Sequence, residues 1–213
     1  MGFNSTIVRA IYAHMNDAPA TSKGAATREA ILDQAYATAC SSGVEGLSIA
    51  PLAQAVGMSK SGVFAHFGSR EVLQLAVLDS AAERFGLAVL GVALAQPRGL
   101  PRLRALMQNW FEWVRNNAGG CVLMGAASEY DHRDGPLRDR VVLNERRWRS
   151  ELQRTIQLAV DAGHLRPGDI GQYVFELYAI ALTVHHDAGL FGYQAARRQG
   201  DQAVERWIFT HSP

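Results

Sequence analysis

The stretch VGMSKSGVFAHFGSREVL, from Val56 to Leu73, constrains this chain more than any other. Gly57 and Gly68 bracket a segment barely two turns long, and glycine readily takes the backbone conformations that end helices. Ser59 is placed to cap the short helix Lys60 to Phe67, and Ser69 to cap the helix that follows. A helix that short is not stable in isolation. Val63 and Phe67, four apart, share one side and anchor it to a larger body. Lys60, Ser61, Phe64 and His66 are left for the outside.

The flanking sequence supplies the body. TREAILDQAYATAC, Thr27 to Cys40, places Ile31, Leu32, Ala35, Tyr36 and Ala39 on one helical face. Thr27 is expected as its N-cap and Gly43 as its left-handed stop. A second helix starts at Ser48 to Pro51, since proline is tolerated in a first turn. Leu52, Ala53 and Val56 face inward. The fourth helix is expected from Ser69 to about Val92, with Val72, Leu73, Ala76, Val77 and Ser80 buried.

Gln96-Pro97-Arg98-Gly99 then breaks the chain. Helices follow at about 101–117, 121–131, 136–162, 169–190 and 194–209. No segment sustains the period-two alternation of a strand. The fold class is all-α, with about nine helices. Residues 1–22 read as an N-terminal arm, either packed or frayed, with Ile7, Val8, Ile11, Tyr12 and Met15 at helical spacing. Residues 23–75 read as a helix-turn-helix domain and 76–213 as a second helical domain.

Composition removes several classes of function. Hydrophobic residues make up 48% of the 213, which suits a globular chain with a core. No apolar run is long enough to span a bilayer, so no membrane association and a cytoplasmic location are expected. Two cysteines, Cys40 and Cys121, make no disulfide framework. Cys121 follows two glycines at an expected helix start, where a thiol can be activated; it reads first as a small buried hydrophobe. The net charge of +1 means that any nucleic-acid reading rests on where charges sit, not on their sum. Phosphate-loop, nucleophile-elbow, HExxH and dinucleotide motifs are absent, so neither an enzyme nor a cofactor is expected. His185 and His186 are neighbours on a helix, about 100° apart, which argues against a shared metal.

A short helix, a glycine turn and a second short helix describe a helix-turn-helix, whose second helix enters the DNA major groove. Residues Ala26 to Leu75 resemble the DNA-binding domain of the tetracycline-repressor (TetR) family of transcriptional regulators. The resemblance is carried by TREAILDQA, the Gly43–Ser48 connection, LAQAVGMSKSGVFAHF and GSREVL. GGC at 119–121 and EYDHRDGP at 129–136 are similar to a subgroup of these regulators. The resemblance implies phosphate contacts from Thr27, Arg28, Ser48 and His66. It places Lys60, Ser61 and Gly62, just after Ser59, nearest the base edges. Arg70, where the family usually has Lys, is implied at the DNA backbone. Phe64 stands where the family usually has Tyr, and so lacks a phosphate-bonding hydroxyl.

The resemblance further implies a homodimer on palindromic double-stranded operator DNA, usually repressing and released by a small molecule. The family usually dimerises through its last two long helices, here about 169–190 and 194–209. Candidates to line an effector pocket are Met107, Trp110, Phe111, Val114, Met124, Tyr130, Trp148, Leu152, Tyr178 and His185. Their chemistry suits an apolar or aromatic effector. The competing readings are a ligand- or partner-binding helical protein with weakened DNA binding, and an enzyme without a recognisable motif.

Overall fold

A computed structural model describes residues 22–117 and 119–213. The expectations for residues 1–21 lie outside the described residues. Among the described residues there are nine α-helices and no strand. They are α1 (Ser22–Ser42), α2 (Ile49–Ala55), α3 (Lys60–Phe67), α4 (Arg70–Gly86), α5 (Leu100–Asn116), α6 (Val122–Tyr130), α7 (Pro136–Asp161), α8 (Ile170–Phe191) and α9 (Tyr193–His211). A π-helical turn, Leu87–Gly91, continues α4.

The helices form two compact units. The first holds the described residues up to Arg84 together with Gly119–Asn144; the second holds the described residues from Phe85 to 117 together with Glu145–Pro213. The division drawn from sequence at residue 75 groups the chain differently. The physical reason is α6: its Val122, Ala126 and Tyr130 are buried in the same core as α1 to α4.

In the first unit, Ile31, Leu32, Ala35 and Ala39 of α1 are buried, as their spacing predicts. They pack with Leu52 and Ala53 of α2, Val63 and Phe67 of α3, and Leu73, Val77 and Leu78 of α4. Burying side chains of the size of Val63 and Phe67 contributes about 1.5–3 kcal/mol each, and this holds the two-turn helix α3 in place.

Three local expectations are corrected. Helix α1 starts at Ser22, not Thr27. Ala25 and Ala26 are strong helix formers, so the helix runs on towards the N-terminus. Thr27 is therefore inside it, and its hydroxyl donates to the Lys23 carbonyl at 3.0 Å. Val72 is 46% exposed, because the buried stripe of α4 is centred on Leu73, Val77 and Ala81 and position 72 falls off its edge. Ser80 is only half-buried and accepts from Arg84 Nε at 3.0 Å.

The second unit is built on Leu103, Leu106, Met107 and Phe111 of α5. Leu152 and Ile156 of α7 and Leu177 of α8 share its interior. Asp169 caps α8, accepting from the Gly171 and Gln172 amides at 2.8 and 3.2 Å.

Candidate nucleic-acid interface

Helix α3 is built as its sequence predicts. Ser59 Oγ accepts from the Gly62 amide at 3.1 Å, which satisfies one of the unpaired donors of the first turn. Ser61 Oγ lies 3.0 Å from Ser59 Oγ. Gly57 and Gly68 have φ of +66° and +72°, the region glycine enters without penalty. At Gly62 a Cβ would come within 3.1 Å of Met58 Cε, so the first turn is packed closely against the preceding loop. Val63 and Phe67 are buried; Lys60, Ser61 and Phe64 are exposed, and His66 is half-buried.

The implied phosphate contacts sit on other elements. Arg28 lies over the Phe67 ring, 4.7 Å from its centroid, and this stacking orients the guanidinium. Ser48 holds the N-cap position of α2 with extended backbone angles, but its side chain makes no capping bond. Its hydroxyl is exposed. Ser69 does cap, accepting from the Val72 amide at 3.1 Å.

Arg70 has a role that spacing did not suggest. Its Nε donates to the Leu47 carbonyl at 2.7 Å, and Nη2 donates to the Glu45 carbonyl. Glu45 Oε1 lies 3.4 Å from the same Nη2. The guanidinium thus braces the loop between α1 and α2. Gln74, buried on α4, donates to the Val44 carbonyl at 2.8 Å. From α6, Tyr130 Oη donates to Glu45 Oε2 at 3.0 Å, and Arg133 pairs with the same carboxylate at 3.3 Å. The Glu45 amide donates to Glu129 Oε2 at 3.0 Å. Glu129, Tyr130 and Arg133 all fall in the segment EYDHR, singled out in the sequence, but their partner lies more than 80 residues earlier.

The ten candidates for an effector pocket separate. Met124 and Tyr130 belong to the first unit, and Tyr130 is part of its core. The other eight belong to the second. Trp110, Trp148 and Tyr178 meet there edge to face, with Trp110–Trp148 centroids 4.9 Å apart and Trp110–Tyr178 5.4 Å. Phe85 joins them, 4.6 Å from Trp148; the sequence reading did not include it. Tyr178 Oη donates to Glu145 Oε2 at 2.7 Å, and Arg149 lies 3.8 Å over the Tyr178 ring. Burial, reinforced by Glu145, raises the Tyr178 hydroxyl well above its ordinary range. The indole nitrogens of Trp113 and Trp148 are buried and meet no acceptor.

Met107 and Phe111 face a different place, a polar groove of about 160 Å3 shared with Arg104, Arg197 and Glu205. Val114 and Leu152 are buried core. Half-buried His185 is held below the usual imidazole range by burial, and secondarily by His186. Among the described residues no three His, Cys, Asp or Glu side chains converge as metal ligands. Cys121 is a buried free thiol.

Comparison with known proteins agrees with this arrangement. Residues 31–77 match the bacterial regulatory proteins of the tetR family, and residues 99–204 match the tetracyclin repressor-like C-terminal domain. A TetR transcriptional regulator from Chloroflexus aurantiacus is 26% identical, with 89% of this chain and 96% of that one covered and a TM-score of 0.75. A TetR-family regulator from Cytophaga hutchinsonii is 17% identical over 91% and 98%, with a TM-score of 0.78. AibR, solved in complex with isovaleryl coenzyme A and operator DNA, is 22% identical over 88% and 98%, with a TM-score of 0.66. No curated protein matches the chain. The chain belongs to the tetR family of bacterial regulatory proteins.

Proposed function

We propose that the chain is a ligand-responsive repressor that binds a palindromic operator as a homodimer and releases it when a small molecule binds. The observation that carries this is α3. It is held by Val63 and Phe67 on one face and presents Lys60, Ser61 and Phe64 on the other. Lys60, Ser61 and Gly62 lie at the base edges in this reading. Thr27, Arg28, Ser48 and His66 anchor phosphates, which position the protein without choosing sequence. Arg70 serves indirectly, by fixing the loop that leads into α2.

Dimerisation is assigned to α8 and α9. Phe175 and Phe209 are 63% and 84% exposed, and Leu190 and Phe191 are exposed too. Between the two helices runs an apolar groove of about 290 Å3 lined by small side chains such as Ala179, Ala196 and Gly200. An apolar surface of this kind suits a subunit interface.

The effector is assigned to the aromatic cluster of Phe85, Trp110, Trp148 and Tyr178. Its rings favour an apolar or aromatic molecule, and the unmet Trp148 indole N–H favours one that also carries an acceptor. Phe85 lies on α4, so an effector there acts on the helix that follows the recognition helix in the chain. AibR, seen with both an acyl-coenzyme A and DNA, supports a reading in which one chain of this fold handles both kinds of partner. Among the described residues no helix is long and apolar enough to cross a membrane.

Selection of bound duplexes from a randomised library tests the reading. It expects enrichment of a sequence with two inverted half-sites about one helical turn apart, bound by two chains. Enrichment of no sequence contradicts it.

A further inference from the structure

Phe64 is 53% exposed on α3. One exposed aromatic side chain is by itself ordinary; its position is what matters. It lies four residues after Lys60 and three after Ser61, so the three share a face. The helix is held by Val63 and Phe67, both buried, and Phe64 takes no part in that anchoring. The hydroxyls of Ser59 and Ser61 are engaged with each other, and Ser59 also caps Gly62. The side chains that reach furthest from this face are therefore a cation, Lys60, and a ring without any polar atom.

Such a ring has no donor or acceptor for a phosphate or a base edge. In the major groove one group suits it, the C5-methyl of thymine, which other bases lack. We propose that Phe64 reads the C5-methyl of an operator thymine, adding sequence choice at that position. This rests on the reading that α3 enters the major groove. The methyl contact removes apolar surface of both partners from water without desolvating a polar atom, so it adds affinity only where a thymine is present.

Deoxyuridine differs from thymidine in that methyl alone, which makes the test direct. A duplex enriched from a randomised library by the wild-type protein is remade with each thymine replaced in turn by deoxyuridine. At one position per half-site, the wild-type protein should lose about three- to fivefold in affinity. Phe64→Ala should bind the thymine and uracil duplexes equally, while Phe64→Tyr, which keeps the ring, should retain the penalty. Phe64→Leu, a milder change, should show a reduced one; unchanged thermal midpoints establish that the variants are folded. No uracil penalty at any position overturns the proposal, as does a penalty undiminished in Phe64→Ala. Failure to enrich any duplex overturns the DNA-binding reading and this proposal with it, whereas enrichment without a uracil penalty overturns this proposal alone.

Discussion

Tyr130 donates its hydroxyl to Glu45 Oε2 across 3.0 Å, joining residues 85 apart in the chain within one compact unit. Glu45 belongs to the loop between α1 and α2, and Tyr130 ends α6. With Arg70 and Arg133 on the same carboxylate, the loop that leads into the helix-turn-helix is tied to α4 and to the end of α6. The ring of Tyr130 is buried, so its hydroxyl has little else to bond.

Tyr130→Phe keeps the ring and removes this one bond. A typical intramolecular hydrogen bond contributes about 1 kcal/mol net, so the thermal midpoint should fall by about 2–4 °C. Glu45→Ala, which also removes the carboxylate that pairs with Arg70 and Arg133, should cost more. Differential scanning calorimetry compares the two; an equal or larger loss in Tyr130→Phe contradicts this account of Glu45.

The caps make a second, sharper comparison. Ser59→Ala removes the side-chain acceptor of the Gly62 amide and should destabilise by about 1 kcal/mol. Ser48→Ala removes no capping bond, so its midpoint should stay close to that of the wild type. If Ser48 serves a phosphate, its loss should appear as weaker binding to all DNA sequences alike. Denaturant unfolding and DNA titration of both variants separate the two roles.

The core anchors of α3 give a third prediction. Phe67→Ala removes a buried ring and should cost about 3–5 kcal/mol, a large share of the roughly 5–15 kcal/mol by which domains are usually stable. Lys60→Ala, at an exposed position, should stay within about 0.5 kcal/mol of the wild type. Urea denaturation followed by circular dichroism reads the difference.

A fourth concerns Gly120, which precedes α6. Its φ is +131°, and a Cβ there would meet the Cys40 carbonyl oxygen at 1.8 Å. Gly120→Ala must move α6 away from α1 or distort the backbone of either, and should lower the midpoint by many degrees. Gly119→Ala has open space around the new Cβ and should be far milder. A reversed order of these two midpoints contradicts the packing of α6 on α1.

What the sequence made legible is the part governed by neighbours along the chain. Gly57 and Gly68 mark turns because their backbone angles are set locally, and Ser59 caps a helix whose first amide bonds lie within three residues. Val63 and Phe67 follow from helical spacing. Illegible were partners brought together by folding. Arg70 bonds carbonyls 23 and 25 residues earlier, and a carbonyl leaves no mark in residue identity. Tyr130 looked like a pocket aromatic because its ring says nothing of which core it enters. The start of α1 was misplaced for the opposite reason: Thr27 carries a capping signal, but Ala25 and Ala26 let the helix run past it.

The most direct measurement is the affinity of the wild type and Lys60→Ala for the enriched duplex and for random duplex across a range of salt. For the wild type, log affinity should fall linearly with log salt as counterions are released, with a clear preference for the enriched duplex. Lys60→Ala should lose affinity for the enriched duplex by about tenfold or more and narrow its preference over random DNA. Binding that is equal for both duplexes and unaffected by Lys60→Ala contradicts the assignment of α3 as the reader of DNA.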